Sequence, residues 1–563
     1  MTCAVATFQV TILGMLQGPL EKRPASAARP IFWFLLAAVV LIAGVETGLH
    51  FYREHVNARD AKRAQAAAEA AKGRDQRVRL AAAVALAPLP VRSPLVERPG
   101  TDEFGYPLSY VDRAALRSLL GRGKFVELSA YAEDFQKRFE ADFRTEYFIR
   151  GVSDAFDSPE PELGPALDAW VKATPASFAP YLARGSHHVA RGFAGRGADV
   201  VTKTDSSNFQ AMRQAFALAR IDLDRALELS PRLVAALRHL MVMSYVASGR
   251  RDFAALSGRA FELCPGCMQP RVVEQHALEP RWGGSYREMK AAADAAPVQL
   301  NPRLRLLPGY AEIDRADGFV VGDQLERALQ HAERAVKLGE HADFLSTQAD
   351  ILWRLKNPKA ARVALSRALE LTPSSDVILF ELAEVETALK DYRAAFRHLH
   401  DGLRIDPTSA KARRVIPDVV SGLTFIGWEA HKQGKNGEAL EILDEAAELD
   451  PNRDVEHRRV AVLTSGFQGT EAELAALEQA AAKAPGDFFT HARLDYALAT
   501  KRDFARIEAL WTRYLDKNPT DSRAYRERAG TFMAMRRPKD ARADAQRACD
   551  LGSSAGCALT KRF

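Results

Sequence analysis

Apolar and small residues in the second half of this 563-residue chain return in a fixed pattern, and a proline marks each return. Pro373 closes ALELTP and Pro407 closes GLRIDP, 34 residues later. Pro451 closes AAELDP, Pro485 closes AAAKAP and Pro519 closes YLDKNP, again in steps of 34. The same step separates Pro231, which closes ALELSP, from Pro265. Only the step from Pro407 to Pro451 differs, at 44 residues, and it predicts one period with a ten-residue insertion. Within each period the apolar spacing of three and four predicts two helices, and the proline stops the second, because its ring clashes with the preceding turn.

The slots that such a pair requires are filled. Small residues are needed where two helices cross closely, and larger apolar ones where neighbouring pairs meet. Ala349, Leu352, Ala361, Leu365 and Ala368 occupy them in the unit ending at Pro373. Leu382, Ala383, Ala395 and Leu399 follow, then Ile426, Gly427, Ala439, Leu443 and Ala446. The last unit has Ala529, Ala541, Ala545 and Ala548, with Ser553 in place of proline, and an earlier one shows Ala328, Ala332 and Ala335. Two units are degenerate, with Glu473 and Asp495 where small residues are usual. Period, proline and slots together resemble the tetratricopeptide repeat family over residues 305–563. The resemblance implies an all-α, right-handed solenoid whose inner groove takes peptides or partner proteins.

Residues 108–304 carry the helical spacing too, as in AALRSLLGRGKFVELSAYAEDF, and the step from Pro231 to Pro265 marks modified repeats. An insertion is expected at 192–212, with Gly192, Gly195 and Gly197 in an inter-helix loop; without a preceding strand or a following Lys-Ser/Thr they make no phosphate loop. YLARGSHHVARGFAGRG (181–197), CPGC (264–267) and PRWGGSYREM (280–289) together resemble domain-of-unknown-function family 4034, which brings no established activity. In the last of these motifs Ser285 and Glu288 form a capping box, Gly283 and Gly284 allow a tight turn, and Trp282 is expected to anchor that corner in a core.

At the other end, residues 31–45 (IFWFLLAAVVLIAGV) are uncharged, and extended to Tyr52 they are long enough to span a bilayer. Residues 1–30 are read as a tail, with Met15 an alternative start, and 31–52 as a single transmembrane helix with interfacial aromatics at both ends. No small-x-small cleavage site follows closely, so the span is an anchor. Residues 53–87 are rich in Ala, Arg, Lys, Gln and Glu and predict a helical stalk. Pro88, Pro90, Pro94, Pro99 and Pro107 then predict a linker completing a 53–107 segment. Three basic residues precede the span and four follow it, so charge alone does not orient it.

Composition adds mainly exclusions. Hydrophobic residues at 47% and charged ones at 27% are ordinary for a globular protein, and a net charge of +6 with interleaved signs is no nucleic-acid stripe. His187 and His188 are adjacent and point apart on a helix, so neither they nor Cys264 and Cys267 are assigned a metal, and no cofactor or catalytic residue is assigned. Cys264-Pro-Gly-Cys267 follows a helix rather than starting one, which fits a local disulfide or two free thiols better than a redox centre. Cys549 and Cys557 lie in RACDLGSSAGCALTKRF, which resembles the cysteine-bearing variant of Sel1-like repeats. That resemblance implies a bridge across the turn, and hence an oxidising compartment. The expectation is a single-pass inner-membrane protein with a periplasmic helical body that binds proteins and is not an enzyme. The alternatives are an enzyme or ligand-binding domain at 108–304, centred near the 282–285 corner and His187/His188, and a homo-oligomer held by the stalk.

Overall fold

The computed structural model describes residues 93–562, apart from 198–203, 248–249, 451–452 and 467–468. The expected tail, membrane span and stalk therefore lie outside the described residues. Among those described, no helix is long and apolar enough to cross a membrane.

The described part of the proline-rich stretch is folded onto the body rather than free. Two short strands, β1 (Leu95–Val96) and β2 (Tyr110–Val111), pair antiparallel with Leu95 opposite Val111. The Asp102 carboxylate accepts from the backbone N–H groups of Phe104 and Tyr106, each at 2.9 Å, and closes the loop between them. Phe104 and Tyr106 are buried in an apolar cluster with Met268, Leu304, Tyr310 and Phe344. Prolines exclude a helix here, as the sequence requires, but the aromatics between them hold the segment down.

Among the described residues every regular element after this hairpin is a helix. The first group runs α1 (Arg113–Gly121), α2 (Phe125–Ala141), α3 (Glu146–Ala155), α4 (Leu163–Ala173), α5 (Ala179–Arg196), α6 (Ser206–Leu229), α7 (Val234–Ala247), α8 (Arg250–Leu263), α9 (Met268–Ala277) and α10 (Tyr286–Asp294). The second runs α11 (Pro308–Val321), α12 (Leu325–Leu338), α13 (Ala342–Arg354), α14 (Pro358–Leu371), α15 (Asp376–Ala388), α16 (Tyr392–Leu403) and α17 (Ala410–Lys432). It continues with α18 (Asn436–Leu449), α19 (Arg453–Thr464), α20 (Glu471–Lys483), α21 (Phe488–Thr500), α22 (Phe504–Lys517), α23 (Ser522–Ala534), α24 (Pro538–Asp550) and α25 (Ser554–Thr560). The array is an α-solenoid of helix pairs. Its slot alanines Ala328, Ala332, Ala361, Ala368, Ala383, Ala395, Ala439, Ala446, Ala529, Ala541, Ala545 and Ala548 are all at 0% exposure, so each marks a close crossing. The marker prolines follow the caps: Ser230, Cys264, Thr372, Ala484 and Asn518 each end a helix one residue before one.

One expectation gains a form and another is corrected. The ten-residue surplus between Pro407 and Pro451 is helical. It lengthens α17 to 23 residues against 13 in α13 and α15, with Pro417 inside the helix. The described parts of the 192–212 insertion are likewise mostly helix, and Gly192 and Gly195 lie in the last turns of α5. The absent side chain at Gly192 is what lets α6 approach: a Cβ there would stand 2.5 Å from Cε1 of Phe216. Sequence reads glycine as a breaker; here it is a contact surface between antiparallel helices.

This gives opposite signs for two substitutions that intrinsic propensity treats alike. Alanine normally gains about 1 kcal/mol over glycine inside a helix. Gly258→Ala in α8, where a Cβ would meet nothing within 4 Å, should show that gain. Gly192→Ala should instead destabilise by about 1–3 kcal/mol through overpacking. Urea midpoints of both variants check the contrast.

Candidate functional site

Glu146, at the start of α3, is buried and accepts three hydrogen bonds: from the N–H of Met268 (2.9 Å), the N–H of Gln269 (3.0 Å) and the Tyr106 hydroxyl (3.0 Å). The first two are orphan amides at the start of α9, so a carboxylate on the α3 helix caps a helix 122 residues later. Asn301 completes the joint by donating to Gly266 O (2.7 Å) and the Tyr106 hydroxyl (2.8 Å). Burial pushes the Glu146 carboxyl up, and the two amides, the Tyr106 hydroxyl and Arg303 oppose that rise.

This joint places the hairpin, α3 and the first array helices around a cavity of about 400 Å³. Its walls come from the hairpin, from α3 (Tyr147, Arg150, Gly151, Asp154), from Arg303, from the start of α13 (His341, Asp343, Ser346) and from residues 370–378 between α14 and α15. A second fastening lies beside it. The Arg113 N–H donates to Ser374 Oγ at 2.9 Å, and its guanidinium meets Asp376 at 3.2 Å. Ala114 packs against Leu379 and Ile405.

The cavity walls mix apolar and charged side chains, and the charges are matched in pairs. Arg150 Nε lies 3.0 Å from Asp154, with Arg238 at 4.0 Å from the same carboxylate. Burial alone would raise Asp154, but these two arginines outweigh it and hold the group below the usual carboxylate range. Asp343 is also held low: burial opposes, but His341, Arg150 and a 2.9 Å bond from the Tyr310 hydroxyl prevail. Arg303 lies 3.4 Å from Asp102 and sits over the rings of Tyr106 (4.3 Å) and Tyr147 (5.2 Å). Such an arrangement offers donors, acceptors and ring faces to a polar ligand. It shows no nucleophile activated by an adjacent base.

The residues singled out in the sequence lie elsewhere. Cys264 and Cys267 are joined in a disulfide at the buried turn between α8 and α9, which leaves no thiolate for zinc. Cys549 and Cys557 are joined between the last turn of α24 and α25. At the corner, Ser285 Oγ accepts from the Glu288 N–H (3.3 Å) and donates to the Glu288 carboxylate (2.7 Å). A Cβ at Gly284 would stand 2.0 Å from the Leu278 carbonyl oxygen, so that position requires glycine. Trp282 is only half-buried, edge-on to Tyr245 at 5.3 Å, and does not reach a core. His187 is buried with Nδ1 2.6 Å from Ser158 O, and His188 lies 3.8 Å from Asp222. Neither histidine and no corner residue lines the cavity. Arg150, Asp154, Arg303, His341 and Asp343 went unmarked because they come from three separate segments without a motif. The one local signal was a charged pair, Arg150 and Asp154, amid the apolar residues of α3.

Two segments of the chain find counterparts among known families. Residues 112–249 match a domain of unknown function (DUF4034), and residues 420–453 match a tetratricopeptide repeat. The DUF4034 match takes in α1 to α7, and so the Arg150–Asp154 wall. The tetratricopeptide match begins inside α17, which assigns the surplus to residues 410–419, ahead of the regular unit. No curated protein matches the chain. Among solved structures, YrrB, described as a TPR protein with an unusual peptide-binding site, is 19% identical over 36% of this chain and 97% of its own, with a TM-score of 0.21. The P58(IPK) TPR domain is 13% identical over 71% and 94%, also with a TM-score of 0.21. The TPR2AB domain of yeast Sti1, solved with pHSP90, is 15% identical over 43% and 89%, with a TM-score of 0.19. At these scores none of the three bears on the fold or function of this chain.

His341 makes the site sensitive to acid. Its Nδ1 caps α13 by accepting from the Asp343 N–H at 3.3 Å, which only a neutral imidazole can do. Burial lowers its pKa to about 4, with Asp343 opposing and Arg303 and Arg150 adding. The folded value lies below the unfolded one of about 6.5, so stability is full above pH 6.5 and is lost as pH falls towards 4. His341→Asn keeps a capping oxygen that does not titrate. Its stability relative to wild type should rise by up to about 3 kcal/mol between pH 7 and pH 4, read from denaturant midpoints.

Proposed function

We propose that the chain is a membrane-anchored helical-repeat scaffold that holds protein or peptide partners and is not an enzyme. The observation that carries this reading is the cavity at the junction of the DUF4034 segment and the array. Its walls combine apolar side chains with charged ones whose charges are already paired, which suits recognition of a chain segment better than bond-making chemistry. Residues 31–52 supply the anchor through their length and apolar character. The two disulfides favour an oxidising compartment for the body, hence a periplasmic face of an inner membrane, where it would organise an envelope assembly. A second reading has one observation in its favour: the volume of about 400 Å³ also suits a small polar ligand.

Two measurements test these parts separately. The full chain should sediment with membranes and resist alkaline carbonate, and deletion of 31–52 should release it; release of the intact chain by carbonate removes the anchor. A photo-crosslinking residue in place of Val377, which lines the cavity at 56% exposure, should give protein-sized adducts in cells. Adducts of small-molecule mass alone would replace the scaffold with the second reading.

A further inference from the structure

The ten residues added to α17 do more than lengthen it. At about 1.5 Å per residue they shift the regular unit by roughly 15 Å along the helix. Beside the added turns a cleft of about 710 Å³ opens between α13, α15 and α17, away from the junction cavity. Three aromatic side chains line it: Trp353, Tyr392 and Phe425. Phe425 is 61% exposed. Among the described residues none of the three rings meets another ring or a cation, whereas most aromatics of the array do. Nor do Trp353 Nε1 and the Tyr392 hydroxyl donate to any described acceptor. The Tyr392 ring is pressed against α17 at Gly422, where a Cβ would stand 2.2 Å from its Cδ1, so its position is fixed by the helix. Two carboxylates border the rings. Glu384 shares Lys411 at 3.7 Å, and Asp418 has no described ion partner.

From these features we infer that the cleft binds a proline-rich segment of a partner protein that carries one basic residue. This rests on the scaffold reading and names the partner's chemistry. Pyrrolidine rings are flat, apolar and stack on aromatic faces. A polyproline II chain makes no internal hydrogen bonds, so its carbonyls are free to accept from Trp353 Nε1 and the Tyr392 hydroxyl. The chain is extended before binding, so little ordering entropy opposes docking on an open cleft. Asp418 complements the basic residue. Arg414, one turn earlier on α17, lines the same cleft and disfavours a second one.

The test titrates the full chain in detergent with a fluorescent proline-rich peptide containing one arginine, with two controls. In one control every proline is alanine; in the other the arginine is glutamate. Saturable binding is expected, weaker by about tenfold or more for each control, a difference of about 1.4 kcal/mol. Phe425→Ala, at an exposed position, should weaken the proline-rich peptide about tenfold while leaving the thermal midpoint unchanged. Asp418→Lys should reverse the preference between the arginine and glutamate peptides. Equal affinity for the alanine control, or unchanged affinity in Phe425→Ala, overturns the inference. If Val377 crosslinks a partner protein while this titration fails, the scaffold reading stands and only the cleft assignment falls.

Discussion

The close crossing of paired helices is the constraint on which the rest of this molecule depends. An isolated helix pair cannot cover its own apolar face, so each pair is stable only through its neighbours. Backbones that approach closely leave room for a methyl group and little more, which is why alanine fills the slots. Where the pattern fails, the substituted residue takes another role. Glu473 has moved to a helix start, where it forms a reciprocal capping box with Thr470. Asp495 stays inside and accepts from Trp511 Nε1 at 2.6 Å. Burial, with Glu527 adding, pushes its carboxyl up to about 7, so a carboxyl tolerated among apolar neighbours is partly protonated near neutrality.

Curvature follows from the same stacking, and in the last repeats it brings distant helices together. Asp444 on α18 is buried and meets Arg459 of α19 at 2.7 Å and Arg526 of α23 at 3.4 Å. One turn on, Glu448 accepts from Ser553 Oγ (2.9 Å) and from the N–H groups of Ser554 (2.6 Å) and Ala555 (3.2 Å), which open α25. A buried ion pair rarely adds net stability, because desolvation offsets the attraction, but leaving one member unpartnered is costly. The network therefore contributes less as net stability than through the cost of leaving any one member unpartnered. The serine that stands in the proline position of the last unit has its reason here: its hydroxyl is a ligand for Glu448.

These features also explain what could be read from sequence. Helix pairs, their period and their caps depend on residues a few positions apart, so spacing and proline positions expose them. Gly192 reads as a loop residue because the chain shows that a side chain is absent but not what fills its place. The stretch at 93–107 reads as a linker because prolines deny it a helix, while the burial of Phe104 and Tyr106 depends on residues some 200 positions away. Beyond the Arg150–Asp154 pair the junction cavity has no local signature. Its charges are matched in pairs such as Arg303 with Asp102 and Arg113 with Asp376, and no window of sequence contains either pair.

The expected boundary at residue 304 separates two sequence patterns, not two bodies. A single apolar cluster holds Phe104, Met268, Met289, Leu304, Tyr310 and Phe344, which lie on both sides of it. The Glu146 cap ties the first helices to α9, and Asn301 ties that turn to the hairpin. At the far end, Arg122, just after α1, meets Asp550 at the end of α24 at 3.5 Å. The first helix of the body thus touches the array at both its middle and its last unit. Arg113 also lines the cavity, so one short helix and its C-terminal residue carry part of the cavity wall together with contacts to both regions of the array.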